Sequence, residues 1–137
     1  MKPKIFLLII SLALIAGTGT LCADENGLSF KENLFCVFTE PFYSVDIKNG
    51  ELFFRDMSEK TIPFIVTKIQ QSLNHTNIWV LNAKSGKDGN VMMFIQETNS
   101  CSDDMSDFTY KYNIVFHNER KNITLSGCGN RNDNAEM

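Results

Sequence analysis

Positive charge is never concentrated in this chain, and histidine is scarce. Lysine and arginine together number 13 against 16 acids, with only two histidines in 137 residues. Nucleic acid and anionic membrane surfaces bind through positive patches that displace counterions, so this balance disfavours both as partners. His75 and His117 lie far apart in polar, turn-like surroundings. They supply too few ligands for zinc, and neither is set beside a cysteine that it could activate. No glycine-rich phosphate loop occurs among the eight glycines, which removes the usual basis for nucleotide binding. Internal repeats and low-complexity segments are absent, so solenoids and propellers are excluded. Long apolar runs are limited to Ile5–Ala16, broken by Ser11. That run falls short of the roughly 20 residues a transmembrane helix needs.

What stands around that run has a meaning of its own. Lys2 and Lys4 precede it; Gly17, Thr18, Gly19 and Thr20 follow; then come Leu21, Cys22 and Ala23 ahead of the acidic Asp24-Glu25. A charged start, an apolar centre and a small residue before a cut form the pattern of a secretory signal, expected here as residues 1–23. Lipidation at Cys22 is the alternative, and it would tether the mature chain to a membrane. A bacterial lipobox has Gly or Ala before that cysteine, whereas this chain has Leu21. Cleavage after Ala23 removes two lysines and no acids, which shifts the formal charge from −3 to −5. Residues 24–137 then form one acidic domain of ordinary size, expected in the periplasm or secreted.

Three cysteines remain after such a cut: Cys36, Cys101 and Cys128. In an oxidising compartment two of the three are expected to pair. Cys101 and Cys128 bracket a strand-turn-strand unit that can bring its ends together, and closing that loop is worth on the order of 3–4 kcal/mol in the chain-entropy model. Cys36 is then the odd thiol. Its place within Leu34-Phe35-Cys36-Val37-Phe38 reads as a small buried hydrophobe, with a partner thiol or reactive site as the alternative.

Residues 24–33 are polar and read as a flexible leader, and the tail 130–137 as disordered. Between them, in 34–129, short apolar segments alternate with turn residues. Strands are expected at 34–39, 42–48, 51–55, 77–82, 91–96, 108–116 and 123–126. Tyr43, Val45 and Ile47 share one face of the second, and Phe108, Tyr110, Tyr112, Ile114 and Phe116 one face of the strand at 108–116. Asn49-Gly50 between two β-rich runs signals a tight hairpin, because a type I′ turn needs positive φ at both central residues. Residues 62–73 carry both a helical spacing and a β-branched run, and the latter favours a strand. The fold class expected is therefore all-β: a small antiparallel up-and-down barrel, or a strongly curled sheet, of about eight strands with one disulfide. An eight-stranded barrel has room inside for side chains or one small ligand.

Two segments stand out, Thr39-Glu40-Pro41-Phe42-Tyr43 and Cys101-Ser102-Asp103-Asp104-Met105-Ser106-Asp107, the latter closed by Gly127-Cys128. In order and spacing they resemble a family of small exported bacterial proteins and lipoproteins. That family carries a Thr-Glu-Pro-Phe-Trp-like segment early, Cys-x-Asp-x-Met-Ser-Asp later and Gly-Cys at the end. The resemblance covers roughly residues 35–129 and departs at Tyr43, where the family has Trp, and at Phe38, where a small residue is usual. It implies a bacterial envelope protein with a Cys101–Cys128 bridge, and it implies no particular activity.

Candidate ligand-binding residues are Glu40, Phe42, Tyr43, Asp103 and Asp107. Glu40 beside Pro41 suits a perturbed carboxylate, or else a charge paired in a corner. Asp103, Asp104 and Asp107 supply calcium-type oxygens but lack EF-hand spacing and its glycine. A turn capped by Ser102 or Asp103, with Met105 tucked beneath it, explains the same residues structurally. No cofactor or metal is expected. Of Met92-Met93, one side chain is expected in the core, since neighbours on a strand face opposite ways. Asn74-His75-Thr76 and Asn122-Ile123-Thr124 fit the glycosylation sequon, which matters only in a eukaryotic host. Fifteen aromatic residues weakly favour a non-enzymatic binding module, for a small apolar ligand inside the barrel or a protein partner on its rim. Inhibitors of bacterial cell-wall lysozymes offer a precedent on small exported barrels by analogy of fold alone. The alternatives are an enzyme pairing Glu40 with Asp103 or Asp107 as acid and base, and a purely structural envelope component.

Overall fold

The computed structural model describes residues 33–132. The expected signal at 1–23, with Cys22, the leader up to residue 32 and the tail from 133 lie outside the described residues. The described chain is all strand and turn. Eight strands follow one another as β1 (Leu34–Phe38), β2 (Tyr43–Lys48), β3 (Glu51–Arg55), β4 (Thr61–Gln71), β5 (Ile78–Ser85), β6 (Gly89–Ser102), β7 (Thr109–Asn118) and β8 (Ile123–Arg131). Each pairs antiparallel with the next, and β8 returns to β1, so the sheet closes into an up-and-down barrel. Closure leaves no edge strand to template aggregation.

Local chemistry explains the strand order. Asn49 and Gly50 both take positive φ, 51° and 81°, which matches the twist of the flanking strands and sets Lys48 opposite Glu51. Alternation then decides which side chains point inward. Leu34, Cys36 and Phe38 from β1, Val45 and Ile47 from β2, and Leu52 and Phe54 from β3 are all buried, while their neighbours face outward. The ambiguous segment is β4. Ile62, Phe64 and Val66 point into the barrel, and Pro63 stands outward opposite Phe53. A bulge between Val66 and Lys68 then shifts the register against β5. Of the methionine pair, Met93 is fully buried and Met92 faces out.

The lumen is filled by side chains. Tyr43, Phe54 and Phe116 stack in series at 5.1 and 5.0 Å, and Phe38 packs on Phe116 at 6.1 Å. This ring stack lies under the turns that join β1 to β2 and β3 to β4. At the other end Trp79 meets Tyr112 edge-on at 6.5 Å. Outside stand Asp46, Lys48, Glu51, Arg55 and Lys84. An apolar lumen inside a charged exterior is the reverse of a transmembrane barrel.

Three expectations need correction. Phe108 and Tyr110 do not continue the inward face of β7, because Phe108 is exposed and Tyr110 only half-buried. The cause is an irregularity between Glu97 and Cys101, beyond which the β6–β7 hairpin leaves the barrel wall as an arm. The boundary expected after Gly129 also moves: Asn130 and Arg131 belong to β8, paired with Phe35 and Leu34, and the Asn130 side chain accepts the Lys111 N–H. His117 belongs to β7 rather than to a turn, and shares a 2.9 Å hydrogen bond with the Thr124 hydroxyl.

Candidate functional site

The arm decides the site. Leu125 and Gly129 lie on the inward phase of β8, so Cys128 points outward, and yet it is only 1% exposed. Its cover is the arm, which folds back across the outer faces of β8 and β1. The Cys101–Cys128 disulfide fastens it there, with the two Cα atoms 5.7 Å apart.

At the tip of the arm Asp103 organises the turn. Its carboxylate accepts the backbone N–H groups of Met105 and Ser106 at 3.1 and 3.0 Å, the Ser106 hydroxyl at 3.0 Å and the Tyr110 hydroxyl at 3.1 Å. Partial desolvation raises the Asp103 carboxyl, but these donors outweigh it and hold the group below the ordinary aspartate value. Tyr110 moves the opposite way, raised first by desolvation and then by its bond to the Asp103 carboxylate. The expected cap at Asp103 is therefore present, with bends rather than a helical turn. Met105 is not tucked beneath it: the side chain is 63% exposed, because the capped turn projects it away from the barrel.

Folding back carries this tip to the end of the barrel where the β1–β2 and β3–β4 turns lie. The three segments enclose a cleft of about 420 Å³. Phe38 and Tyr43, part of the ring stack, line it together with Phe42, Met57, Met105 and Tyr110, and Arg55, Asp56 and Asp103 contribute its polar groups. A second cleft of about 370 Å³ runs alongside, lined by Ser100, Ser102, Asp104, Asn113 and Ser126. The two share Val37, Thr39 and Asp103, so they form one groove with an apolar and a polar half.

Three of the five candidate residues, Phe42, Tyr43 and Asp103, thus meet around one cleft. Glu40 sits in the same β1–β2 turn, exposed and preceding a cis Pro41, and Asp107 lies on the exposed arm; neither lines the groove. Asp103 is committed as a hydrogen-bond acceptor by its turn, which makes it a poor proton donor. Sequence reasoning missed Arg55, Asp56, Met57 and Tyr110 as cleft residues. Asp56 carries its own local signature: it accepts the Ser58 N–H and hydroxyl at 2.9 and 2.6 Å, and the Ser58 hydroxyl first, with the Ser58 and Lys60 N–H groups after it, holds its carboxyl low against desolvation. Nothing in the sequence spacing announces Met57, since the β3–β4 turn reaches the arm only through barrel closure.

Elsewhere, an outward groove of about 540 Å³ lies over the β4 bulge between Lys84, Met92 and His117. Cys36 is fully buried on β1, where desolvation first and the nearby Asp46 carboxylate second push its thiol well up. Among the described residues no group of three histidine, cysteine or acidic side chains is arranged to hold a metal ion. No protein-family model, curated protein or solved structure matches the chain.

Proposed function

We propose that this chain is an exported bacterial envelope protein whose barrel is a non-enzymatic binding module, docking a protein partner on the rim built by the β1–β2 turn, the β3–β4 turn and the arm. One observation carries the proposal. Phe42, Met57 and Met105 come from three separate segments, converge on one cleft, and stand 57%, 65% and 63% exposed. Large apolar side chains converging in this way on a concave surface are characteristic of interaction sites, whereas scattered ones are ordinary. Methionines make adaptable contacts, and an aromatic anchor beside them is the usual composition of a hot spot.

The rim is favoured over the lumen because ring stacks and aliphatic side chains already fill the interior. Binding is favoured over acid–base catalysis because the Asp103 carboxylate is committed to its turn. Export is supported by the signal-like amino terminus and by a disulfide suited to an oxidising compartment.

Site-specific photo-crosslinking in cells tests this. A benzophenone amino acid at position 57 is expected to capture one discrete partner, while the same probe at Asn49 on the opposite end captures none. Equal capture at both ends, or none at position 57, removes the proposal.

A further inference from the structure

The three rim segments differ from the rest of the barrel in charge as well as in exposed apolar surface. They hold Glu40, Asp56, Glu59, Asp103, Asp104 and Asp107 against only Arg55 and Lys60. Elsewhere on the barrel three of the five carboxylates have a cation at hand: Asp46 faces Arg55 at 3.9 Å, Glu97 faces Lys111 at 3.3 Å and Asp88 faces Lys121 at 3.8 Å, leaving Glu51 and Glu119. Among the described residues none of the six rim acids forms such an ion pair. Asp103 is held by neutral donors instead, which keep it ionised without cancelling its charge, while Asp56 is held mainly by Ser58 with a lesser pull from the Lys60 charge.

Resting on the rim-docking reading, we infer that the partner segment is cationic: an apolar side chain seated in the Phe42, Met57 and Met105 half of the groove, with lysine or arginine beside it over Asp103 and Asp104. Two features of the groove match such a segment. Its apolar and polar halves are contiguous through Val37, Thr39 and Asp103, so neighbouring residues of one extended strand can occupy both. Three of the acids, Asp56, Asp103 and Asp104, also line the groove, where a bound segment excludes water and charges steer association more strongly than on an open face.

Fluorescence anisotropy on the folded, oxidised chain tests the inference with three labelled twelve-residue peptides. Each holds one Phe and one Leu at the centre, flanked by four lysines, four serines or four glutamates. The lysine peptide is expected to bind about tenfold more tightly than the serine peptide, and to lose that advantage between low and high salt. The glutamate peptide is expected to bind weakest. A Glu40→Gln, Asp104→Asn, Asp107→Asn variant leaves the Asp103 turn intact, and Asn tolerates the positive φ of 59° at position 104. This variant is expected to reduce the lysine advantage and to change serine-peptide binding far less. Phe42→Ser is expected to weaken both peptides.

Equal binding of lysine and serine peptides, with Phe42→Ser still weakening both, overturns the cationic partner and leaves rim docking standing. Binding that is indifferent to Phe42→Ser, or no binding by either peptide, overturns both. Tighter binding of the glutamate peptide overturns the sign of the charge argument.

Discussion

Gly127 on β8 lies directly beneath Val37 of β1: a Cβ added at Gly127 would run into the Val37 carbonyl oxygen and the Phe38 ring. The barrel closes at this seam, where β1 and β8 meet through four residue pairs. A glycine stands at 127 because the obstacle is backbone, which cannot swing aside as a side chain would. Gly127→Ala is therefore expected to destabilise by about 3 kcal/mol, the upper part of the range for overpacked sites. Thermal unfolding should show the midpoint falling by roughly 10 °C or more. A midpoint within two or so degrees of the parent would mean that the seam is looser than described.

The Asp103 turn predicts a pH dependence. Its carboxyl is depressed in the folded chain, so the unfolded chain binds the proton more readily. The turn's contribution is present above the unfolded value, near pH 4, and is lost as pH falls through the lower folded value. Asp103→Asn should lower the unfolding midpoint at pH 7 and narrow its gap from the parent below about pH 3. Asp56→Asn is expected to do the same more locally, since Asp56 is depressed by Ser58 and Lys60 within its own turn. Unfolding midpoints collected from pH 2 to 7 check this; a gap that stays constant across that range would contradict it.

Cys36 should be chemically silent. Burial pushes the thiol up, so thiolate is scarce at neutral pH and no path leads to it from solvent. Peptide mass spectrometry after iodoacetamide at pH 8 is expected to show no adduct on Cys36 in the native chain and full labelling of Cys36 once the chain is unfolded in denaturant without reductant. Cys36→Ser should cost about 1–3 kcal/mol by burying a hydroxyl without a partner, and Cys36→Ala less. Rapid native labelling would indicate that β1 opens at the seam.

The disulfide is expected to act on the arm more than on the barrel. It closes a separation of 27 residues, worth about 3.5 kcal/mol in the chain-entropy model. A Cys101→Ala, Cys128→Ala variant should keep its β-sheet circular dichroism, because the ladder hydrogen bonds close the barrel. Amide exchange should quicken at residues 98–110 and change little in β2 and β3. Loss of the sheet signal in that variant would mean that closure depends on sulfur.

Much of the fold was legible because alternation has a direct physical cause. Tyr43, Val45 and Ile47, or Ile114 and Phe116, must share a face if the chain is extended, and a short chain with such faces has little choice but to wrap them inward. Asn49-Gly50 named its own turn. Pro63 and the apparent helical spacing after it obscured β4, since an outward proline at a strand position and a bulge both break the simple period. The arm was illegible for a different reason. Phe108 and Tyr110 alternate as cleanly as Tyr112 and Ile114 do, and only the irregularity after Glu97 sends them outside. Within the segments singled out for chemistry, Asp103 and Ser106 build a turn, Cys101 and Cys128 fasten it, and Gly127 lets β1 approach.

Sequence alone determined which residues alternate, where the tightest turn falls and which two cysteines could bracket a hairpin, because these depend on neighbours along the chain. Tertiary structure decided that Phe42, Met57 and Met105 meet at one rim, although they lie in three turns separated by whole strands. Antiparallel pairing of β1 through β4 puts the β1–β2 and β3–β4 turns at one end, closure brings β8 beside β1, and the arm must double back over β8 before its tip joins them. Contacts of that kind depend on registers and a bulge summed around the sheet, and no local pattern records that sum.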